Sequence, residues 1–340
     1  MTKIFGIVCG ICVCGLLSCG NRIDTVLSIA IHPIKPNIIY IVTDNSVYKT
    51  RDSGETWKQL DGGLSRTDVT SIVIDPQLPA NIFSGTFADG VYKSADGGRS
   101  WHVKNSGLQK GTISMNVQQL VFNPRSSQTL YAGTTVGVFR TTDGGQSWTE
   151  RMQGMTEINF IVSLAIDPQH PNIVYAGTSG GIFRSVNATE SWTKVNTGLV
   201  PSDARMASMA LGVNVVVVDP EKVERVYAGT TNGLFQTHNR GESWEKIGHT
   251  LLTGFISSVV LDPEVSTVVY VGTSHGVYKS QDAGKAWQLH NTGMEDQSVR
   301  AVGIHPLDSN ILYCGTNGGG LFRSRNAGES WENVSILGKS

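Results

Sequence analysis

Every tryptophan in the chain ends the same short polar turn, and this turn recurs seven times. One copy lies in Leu130–Trp148 (LYAGTTVGVFRTTDGGQSW), which has the pattern of two short strands, a polar turn and the start of a further strand. The copies end 43 to 52 residues apart, at Trp57, Trp101, Trp148, Trp192, Trp244, Trp287 and Trp331. Such a period with four short strands per unit is typical of a β-propeller blade, whereas a helical solenoid needs apolar residues spaced about 3.6 apart. The sequence therefore predicts an all-β fold: a seven-bladed β-propeller of four-stranded antiparallel blades.

The turn before each Trp has a structural explanation. An Asp or Asn side chain can accept hydrogen bonds from backbone N–H groups further along the turn. A nearby Gly supplies positive φ, and the indole can wedge between neighbouring sheets. We therefore expect a structural role for the seven Trp residues and for Asp52, Asp96, Asp143, Asn187, Asn239, Asp282 and Asn326. In two copies Thr189 replaces the Gly and Ala286 replaces a Ser or Thr, so looser turns are expected there.

The first residues have the pattern of an export signal. Lys3 precedes an apolar run, Ile4–Leu17, that is too short to span a bilayer as a helix. The run ends in Leu-Leu-Ser-Cys, which resembles the lipobox of bacterial lipoproteins and implies cleavage before Cys19 and lipidation of that residue. An ordinary secretory signal with an incidental Cys19 is the alternative. We expect a signal peptide at 1–18, a linker at 19–25 and the propeller at 26–340, in an exported, membrane-anchored lipoprotein held about 20 Å or less from its lipid.

Charge and motif content exclude several classes of function. The chain has 27 basic and 28 acidic residues, which argues against a nucleic-acid groove or a polybasic membrane patch. No His, Cys or carboxylate cluster has metal-ligand spacing, and no phosphate-binding loop is present, so no metal or cofactor is predicted. Cys314 takes a position held by Ala or Val in other repeats, which predicts a small buried apolar residue. We expect a monomer.

Candidate binding residues come from one face of the predicted propeller. The connections from outer to next inner strand and from second to third strand share this face, while the Trp-ending turns lie on the opposite one. Loops that vary on a repetitive frame are typical binding surfaces. The candidates are Arg66, Asp68, Asp89, Asp203, Arg205, Glu295 and Arg300. The alternative interpretation is that these are merely solvated loop residues.

The turn sequence resembles the Asp-box, or bacterial neuraminidase repeat, S/T-x-D-x-G-x-S/T-W. Exo-sialidases, xyloglucan-cutting propeller glucanases, sortilin-type receptors and photosystem II assembly factors share this repeat. The resemblance covers Val26 to Trp331 and implies the propeller fold, but the shared residues are structural and imply little about function. Sialidases use a Tyr nucleophile, and all nine Tyr of this chain fall on repeat positions, so sialidase activity is not expected.

Glucanases of this kind use two carboxylates, which Asp68, Asp89, Asp203 or Glu295 could supply. Their cleft lies between two propellers, however, and this chain predicts one. Every Trp is also committed to a structural turn and cannot stack on a sugar. The sequence favours a non-catalytic binding or assembly scaffold for a protein or glycan partner in the cell envelope. A glycoside hydrolase remains the alternative.

Overall fold

The computed structural model describes residues 25–60, 62–64, 68–108, 116–155, 160–199 and 212–336. These residues form seven antiparallel sheets of four strands, which confirms the predicted seven-bladed β-propeller. Blade 1 contains β1 (Val26–Ile31), β2 (Ile39–Thr43), β3 (Val47–Thr50) and β4 (Lys58–Gln59). Blade 2 contains β5 (Val69–Ile74), β6 (Ile82–Thr86), β7 (Val91–Ser94) and β8 (His102–Val103). Blade 3 contains β9 (Val117–Asn123), β10 (Ser126–Thr134), β11 (Gly137–Thr141) and β12 (Thr149–Glu150).

The remaining four blades repeat this order. Blade 4 contains β13 (Ile161–Ile166), β14 (Val174–Thr178), β15 (Gly181–Ser185) and β16 (Thr193–Lys194). Blade 5 contains β17 (Val213–Val218), β18 (Val226–Thr230), β19 (Gly233–Thr237) and β20 (Glu245–Ile247). Blade 6 contains β21 (Ile256–Leu261), β22 (Val269–Thr273), β23 (Gly276–Ser280) and β24 (Gln288–Leu289). Blade 7 contains β25 (Val299–Ile304), β26 (Leu312–Thr316), β27 (Leu321–Ser324) and β28 (Glu332–Val334).

The second strand of each blade explains why its sequence repeats. Its aromatic residue is buried in the core between blades, as with Tyr175 in β14. Two residues later, a Cβ added to Gly177 would lie 2.8 Å from the Val213 side chain of the next blade, so only Gly fits. Thr178 then donates its hydroxyl hydrogen bond to the Gly181 carbonyl at 2.9 Å and closes the hairpin. Each residue of the repeated Tyr-Ala-Gly-Thr segment therefore has a packing or hydrogen-bonding role.

The ring closes by packing between blades. The inner strands contact their neighbours in an unbroken cycle, and β25 of blade 7 contacts β1 of blade 1. All four strands of each blade are consecutive, so blades 1 and 7 exchange no strand within residues 25–336 as far as the structure describes them. Val26 and Ile41 of blade 1 share one apolar cluster with Tyr313 and Leu321 of blade 7. The sequence pattern alone does not indicate how the ring closes, and these contacts show that packing between blades 1 and 7 closes it.

A second set of contacts joins each blade to the next. We call the eight residues ending at each Trp the box turn. A long polar side chain on the third strand of one blade donates a hydrogen bond to a carbonyl of the next box turn. The donors and acceptors are Lys49 to Gly97, Lys93 to Gly144, Arg140 to Ala188, Arg184 to Arg240, Gln236 to Ala283, Lys279 to Ala327 and Arg323 to Ser53, at 2.5–3.1 Å. The last of these bonds closes the ring.

The box turns have the geometry expected of them. Asp52 accepts hydrogen bonds from the hydroxyl groups of Thr50 and Thr56, at 2.6 Å each. These two bonds lower the pKa of Asp52 to about 2. The carboxylate therefore has a structural partner at each oxygen and is bound within its own turn.

The expectation of looser turns was wrong. The backbone N–H of Thr189 donates to the Ser185 hydroxyl at 2.9 Å, as Gly145 does to the Thr141 hydroxyl at 3.0 Å. Thr189 adopts positive φ, and what it adds is a buried hydroxyl that has no partner. Ala286 still donates its N–H to Asp282 at 2.9 Å. The backbone bonds, which any residue can make, hold both turns in shape.

Candidate functional site

The propeller has two chemically different faces. We call one of them the loop face. It carries the entrances of the inner strands and the hairpins between second and third strands. Entrance and hairpin are joined by backbone hydrogen bonds, such as Phe87 N–H to the Asp68 carbonyl at 2.8 Å and Asn317 N–H to the Ser298 carbonyl at 2.8 Å. On the opposite face, Ser53 N–H of a box turn donates to the Asn37 carbonyl of the first hairpin at 3.0 Å. The box-turn carboxylates therefore lie away from the loop face, as predicted.

Four of the predicted binding residues lie on the loop face and are exposed: Asp68, Asp89, Glu295 and Arg300. Arg66, Asp203 and Arg205 lie outside the described residues. Arg300 is the second residue of β25, and its guanidinium donates to Asn317 at 3.1 Å and 3.3 Å. Asp89 lies in the hairpin of blade 2, where its backbone N–H donates to the Thr86 hydroxyl at 3.0 Å. The structure thus orients Arg300 against the neighbouring hairpin and leaves the three carboxylates facing solvent.

The inner strands supply almost no charge to the loop face. None of the seven strands contains Asp or Glu, and their second residues are Leu27, Thr70, Gln118, Val162, Asn214, Ser257 and Arg300. Three of these side chains already tie blades together, since Thr70 donates to the Val117 carbonyl, Asn214 to the Ile256 carbonyl at 3.0 Å and Ser257 to the Val299 carbonyl at 2.8 Å. Arg300 is the single charged residue among the second residues of these seven strands. A pair of carboxylates would therefore have to come from the surrounding loops.

Three exposed phenylalanines distinguish the loop face. Phe160 and Phe255 stand at the entrances of β13 and β21, and Phe87 stands in the β6–β7 hairpin. Their exposed fractions are 44% for Phe87, 52% for Phe160 and 41% for Phe255. The entrance positions of Phe160 and Phe255 can be read from the sequence. Phe87 was missed, although its hairpin from Thr86 to Gly90 is one residue longer than the hairpin from Thr134 to Gly137.

The described carboxyl groups whose pKa values are shifted belong to structural parts of the frame. Every carboxyl pKa shift that is resolved is a lowering, caused mainly by hydroxyl, backbone or arginine partners. These groups lie in box turns or in β28, away from the loop face. A carboxylic general acid needs the opposite shift. Within the described ranges, no group of three His, Cys, Asp or Glu side chains could hold a metal ion.

Comparisons with known proteins identify the fold. No family model matches the sequence, and no curated protein matches it. A GH74 xyloglucanase from Xanthomonas campestris matches with a TM-score of 0.72 at 17% identity, over 92% of this chain and 55% of that one. This chain spans about half the length of the GH74 enzymes, since it covers 46% of an ancestral GH74 enzyme. At this identity the similarity shows the fold alone.

Two other kinds of protein share the fold. YCF48 bound to a D1 peptide matches with a TM-score of 0.66 at 17% identity, over 89% of this chain and 94% of that one. The extracellular domain of a putative one-component system from B. thetaiotaomicron matches with a TM-score of 0.69 at 17% identity, over 90% of this chain and 39% of that one. A xyloglucanase, a protein bound to a peptide and the extracellular domain of a putative one-component system thus share this fold, and function has to be argued from the site.

Proposed function

We propose that the protein is a non-catalytic, exported binding or assembly module that takes its partner on the loop face. The exposure of Phe87, Phe160 and Phe255 on that one face carries this proposal. Exposed aromatic side chains that share a surface are typical anchors of protein interfaces. Arg300, which is exposed on the same face, is a residue type that is also enriched at interfaces. The frame needs none of these side chains for its own packing.

The chemistry of this face favours a protein partner over a glycan. The Phe rings offer apolar contact but no hydrogen-bonding group, and Asp68, Asp89 and Glu295 add exposed negative charge to the same face. A polar, charged rim around aromatic anchors is the usual composition of a protein interface. We include Arg66, Asp203 and Arg205 in the proposed rim, since their loops belong to the same face in sequence order.

We further propose that Cys19 is lipidated and that the loop face is directed toward the membrane. The first described residue, Thr25, lies on the loop face, where its N–H donates to Asp44 at 3.2 Å. Six residues of extended chain reach about 20 Å at most. The partner would then be a protein at the membrane surface. In the described part of the chain, no helix has the length and apolar character to cross a bilayer.

Capture of a partner from solubilised envelope fractions tests the proposal. The triple variant Phe87→Ser, Phe160→Ser, Phe255→Ser is expected to lose the captured protein while keeping its unfolding temperature. A matched control changes three exposed apolar residues of the opposite face, Ile34, Leu78 and Leu307, to Ser. This control should capture the partner normally. Loss of capture in the control and its retention in the Phe variant would exclude the loop face.

Charge reversal gives a second test. Reversal of Arg66, Asp203 and Arg300 should reduce partner capture without changing thermal stability, because none of the three is expected to support the frame. Unaltered capture after all three reversals would remove these residues from the interface.

A glycoside hydrolase is the alternative, favoured by the exposure of Asp68, Asp89 and Glu295 on one face. An inverting enzyme needs two carboxylates about 6.5–9.5 Å apart, and a retaining enzyme needs them about 5–5.5 Å apart. Release of reducing sugar from xyloglucan, abolished by Asp68→Asn, Asp89→Asn or Glu295→Gln, would establish this alternative. Activity that is absent, or unchanged in all three variants, would exclude it.

A further inference from the structure

Four residue positions recur where one blade meets the next. Three of them belong to the first blade of the pair: the third-strand donor described above, the residue two positions after that donor, and the residue that directly follows the Trp. The fourth belongs to the box turn of the next blade and lies two positions before its Trp. We call these four positions the interface quartet. Between blade 7 and blade 1 the quartet is Arg323, Arg325, Glu332 and Glu55. It therefore contains two cations and two carboxylates.

This quartet is fully paired. Arg323 contacts Glu55 at 2.8 Å and Glu332 at 2.7 Å. Arg325 contacts the same two carboxylates at 2.8 Å and 3.2 Å. Each carboxylate thus bridges two guanidinium groups, which is a geometry that arginine and carboxylate favour.

The quartet between blade 1 and blade 2 is entirely basic: Lys49, Arg51, Lys58 and Arg99. Lys49 lies directly across from Lys58 in the β3–β4 pairing, and its Nζ donates to the Gly97 carbonyl at 2.8 Å. Among the described residues, no carboxylate is in ion-pair contact with Arg51, Lys58 or Arg99.

The nearest carboxylates, Asp52 and Asp96, make no ion pair with these four cations, although the charge of Asp96 partly offsets the effect of Arg51 and Arg99 on Lys49. Asp96 accepts hydrogen bonds from the hydroxyl groups of Ser94 and Ser100 at 2.8 Å and 2.7 Å. Asp52 is held in the same way by Thr50 and Thr56, at 2.6 Å each. Both carboxylates are therefore committed to folding their own turns.

The other interfaces show that the basic quartet is a local departure. The third-strand cation faces a Glu of the next box turn in three further pairs: Arg140–Glu190 at 2.6 Å, Arg184–Glu242 at 2.7 Å and Lys279–Glu329 at 3.7 Å. Arg99 stands where these interfaces carry Glu, so a cation replaces the expected counter-charge. Like charges at this distance repel one another unless an anion lies between them.

The four basic side chains line a common cleft. Its volume is about 390 Å³, and Thr56 and Trp57 complete its wall. A cleft of this volume suits a small molecule. Burial, reinforced by the charges of Arg51 and Arg99, lowers the pKa of Lys49 to about 8. The four side chains thus bring positive charge into a walled space, and no carboxylate of the described residues is in ion-pair contact with them.

We propose that the cleft between blades 1 and 2 binds a small ligand that carries at least two carboxylate groups. The paired quartet between blades 7 and 1 is the template, because there two carboxylates satisfy the same four positions. In the basic quartet the ligand supplies both carboxylates, one in place of Glu55 and one in place of Glu332. This site lies beside a box turn on the perimeter and is independent of the partner proposed for the loop face.

Titration calorimetry at low salt tests this proposal with citrate as the probe. The wild-type protein should bind citrate saturably, and the double variant Lys58→Glu, Arg99→Glu, which restores the charges of the blade 7–1 quartet, should bind at least about tenfold more weakly. The matched control is Lys285→Glu, at the position of blade 6 that is equivalent to Arg99. It makes the same charge change per site, but the third-strand donor there is the neutral Gln236. This control should bind citrate as the wild type does.

Two further probes distinguish a small carboxylate ligand from an acidic peptide and from a phosphate ligand. A Glu-rich peptide and pyrophosphate are titrated in parallel with citrate. Binding of the peptide without citrate binding, or tighter binding of pyrophosphate than of citrate, would overturn the proposal. Unchanged citrate affinity in the double variant would also overturn it. If that variant does not fold, Lys58→Gln with Arg99→Gln serves instead, with the same expected loss of affinity.

Discussion

The two interfaces that flank blade 1 differ in charge at equivalent positions of one frame. On the blade 7 side, Arg323 is held by Glu55 and Glu332 and also donates to the Ser53 carbonyl at 2.7 Å. On the blade 2 side, Lys49 makes the equivalent backbone bond to Gly97, but Lys58 and Arg99 occupy the positions of the two carboxylates. The first interface is electrostatically complete and closes the ring. The second has the same backbone geometry but no carboxylate in ion-pair contact among the described residues, and this difference is the basis for proposing a ligand there.

The largest expected difference between the two interfaces concerns the third-strand cation. Arg323→Met removes a nearly buried guanidinium and leaves Glu55 and Glu332 with Arg325 as their remaining ion-pair partner, so the free energy of unfolding should fall by about 2 kcal/mol. Lys49→Met removes one backbone bond but also relieves repulsion, so its net effect should be about 0.5 kcal/mol or less. Urea unfolding of both variants measures this difference. Equal losses would show that the two interfaces are energetically alike.

A smaller difference in unfolding free energy is expected between two of the tryptophans. The Trp148 indole N–H donates to the Lys104 carbonyl of the preceding blade at 2.8 Å. The Trp101 indole N–H, which lies at the blade 1–2 interface, is buried and has no acceptor in the described structure. Trp148→Phe should therefore cost about 1 kcal/mol more unfolding free energy than Trp101→Phe, because only the first change breaks a hydrogen bond. A larger loss for Trp101→Phe would contradict the assignment of these bonds.

The smallest expected effect is a gain. Arg99→Glu places a carboxylate beside Lys49, as Glu190 stands beside Arg140, and should raise the unfolding free energy by about 0.5 kcal/mol at low salt. The gain should shrink in high salt, since the pair is partly exposed. Lys285→Glu, which faces Gln236, should give no gain. Destabilisation by Arg99→Glu would mean that the basic quartet is not under repulsion.

Much of the fold follows from the sequence because each repeated residue has a local reason. The period of the Trp residues, the Gly of the second strand and the Asp or Asn of the box turn each constrain the backbone where they stand. The prediction failed for Thr189 and Ala286 because the bonds that hold those turns come from backbone N–H groups.

The sites were less predictable because they combine distant parts of the chain. Lys49 and Arg99 belong to different blades, and their proximity becomes visible only when the turn of one blade is matched to the third strand of another. On the loop face, the sequence placed Asp68, Asp89, Glu295 and Arg300 correctly but not the exposure of Phe87, because exposure depends on which side chains the neighbouring hairpins cover.

The pKa of Lys49 tests the account of the blade 1–2 interface most directly. We expect NMR titration of its side chain to give a midpoint at about 8, well below the ordinary value of 10.5. Between these two values the folded protein binds fewer protons than the unfolded chain, so this residue should make the unfolding free energy rise with pH across that window. Arg99→Glu or saturating citrate should move the midpoint back toward 10.5. A midpoint near 10.5 in the free wild-type protein, unchanged by either treatment, would contradict the claim that four cations without an ion-pair partner meet there.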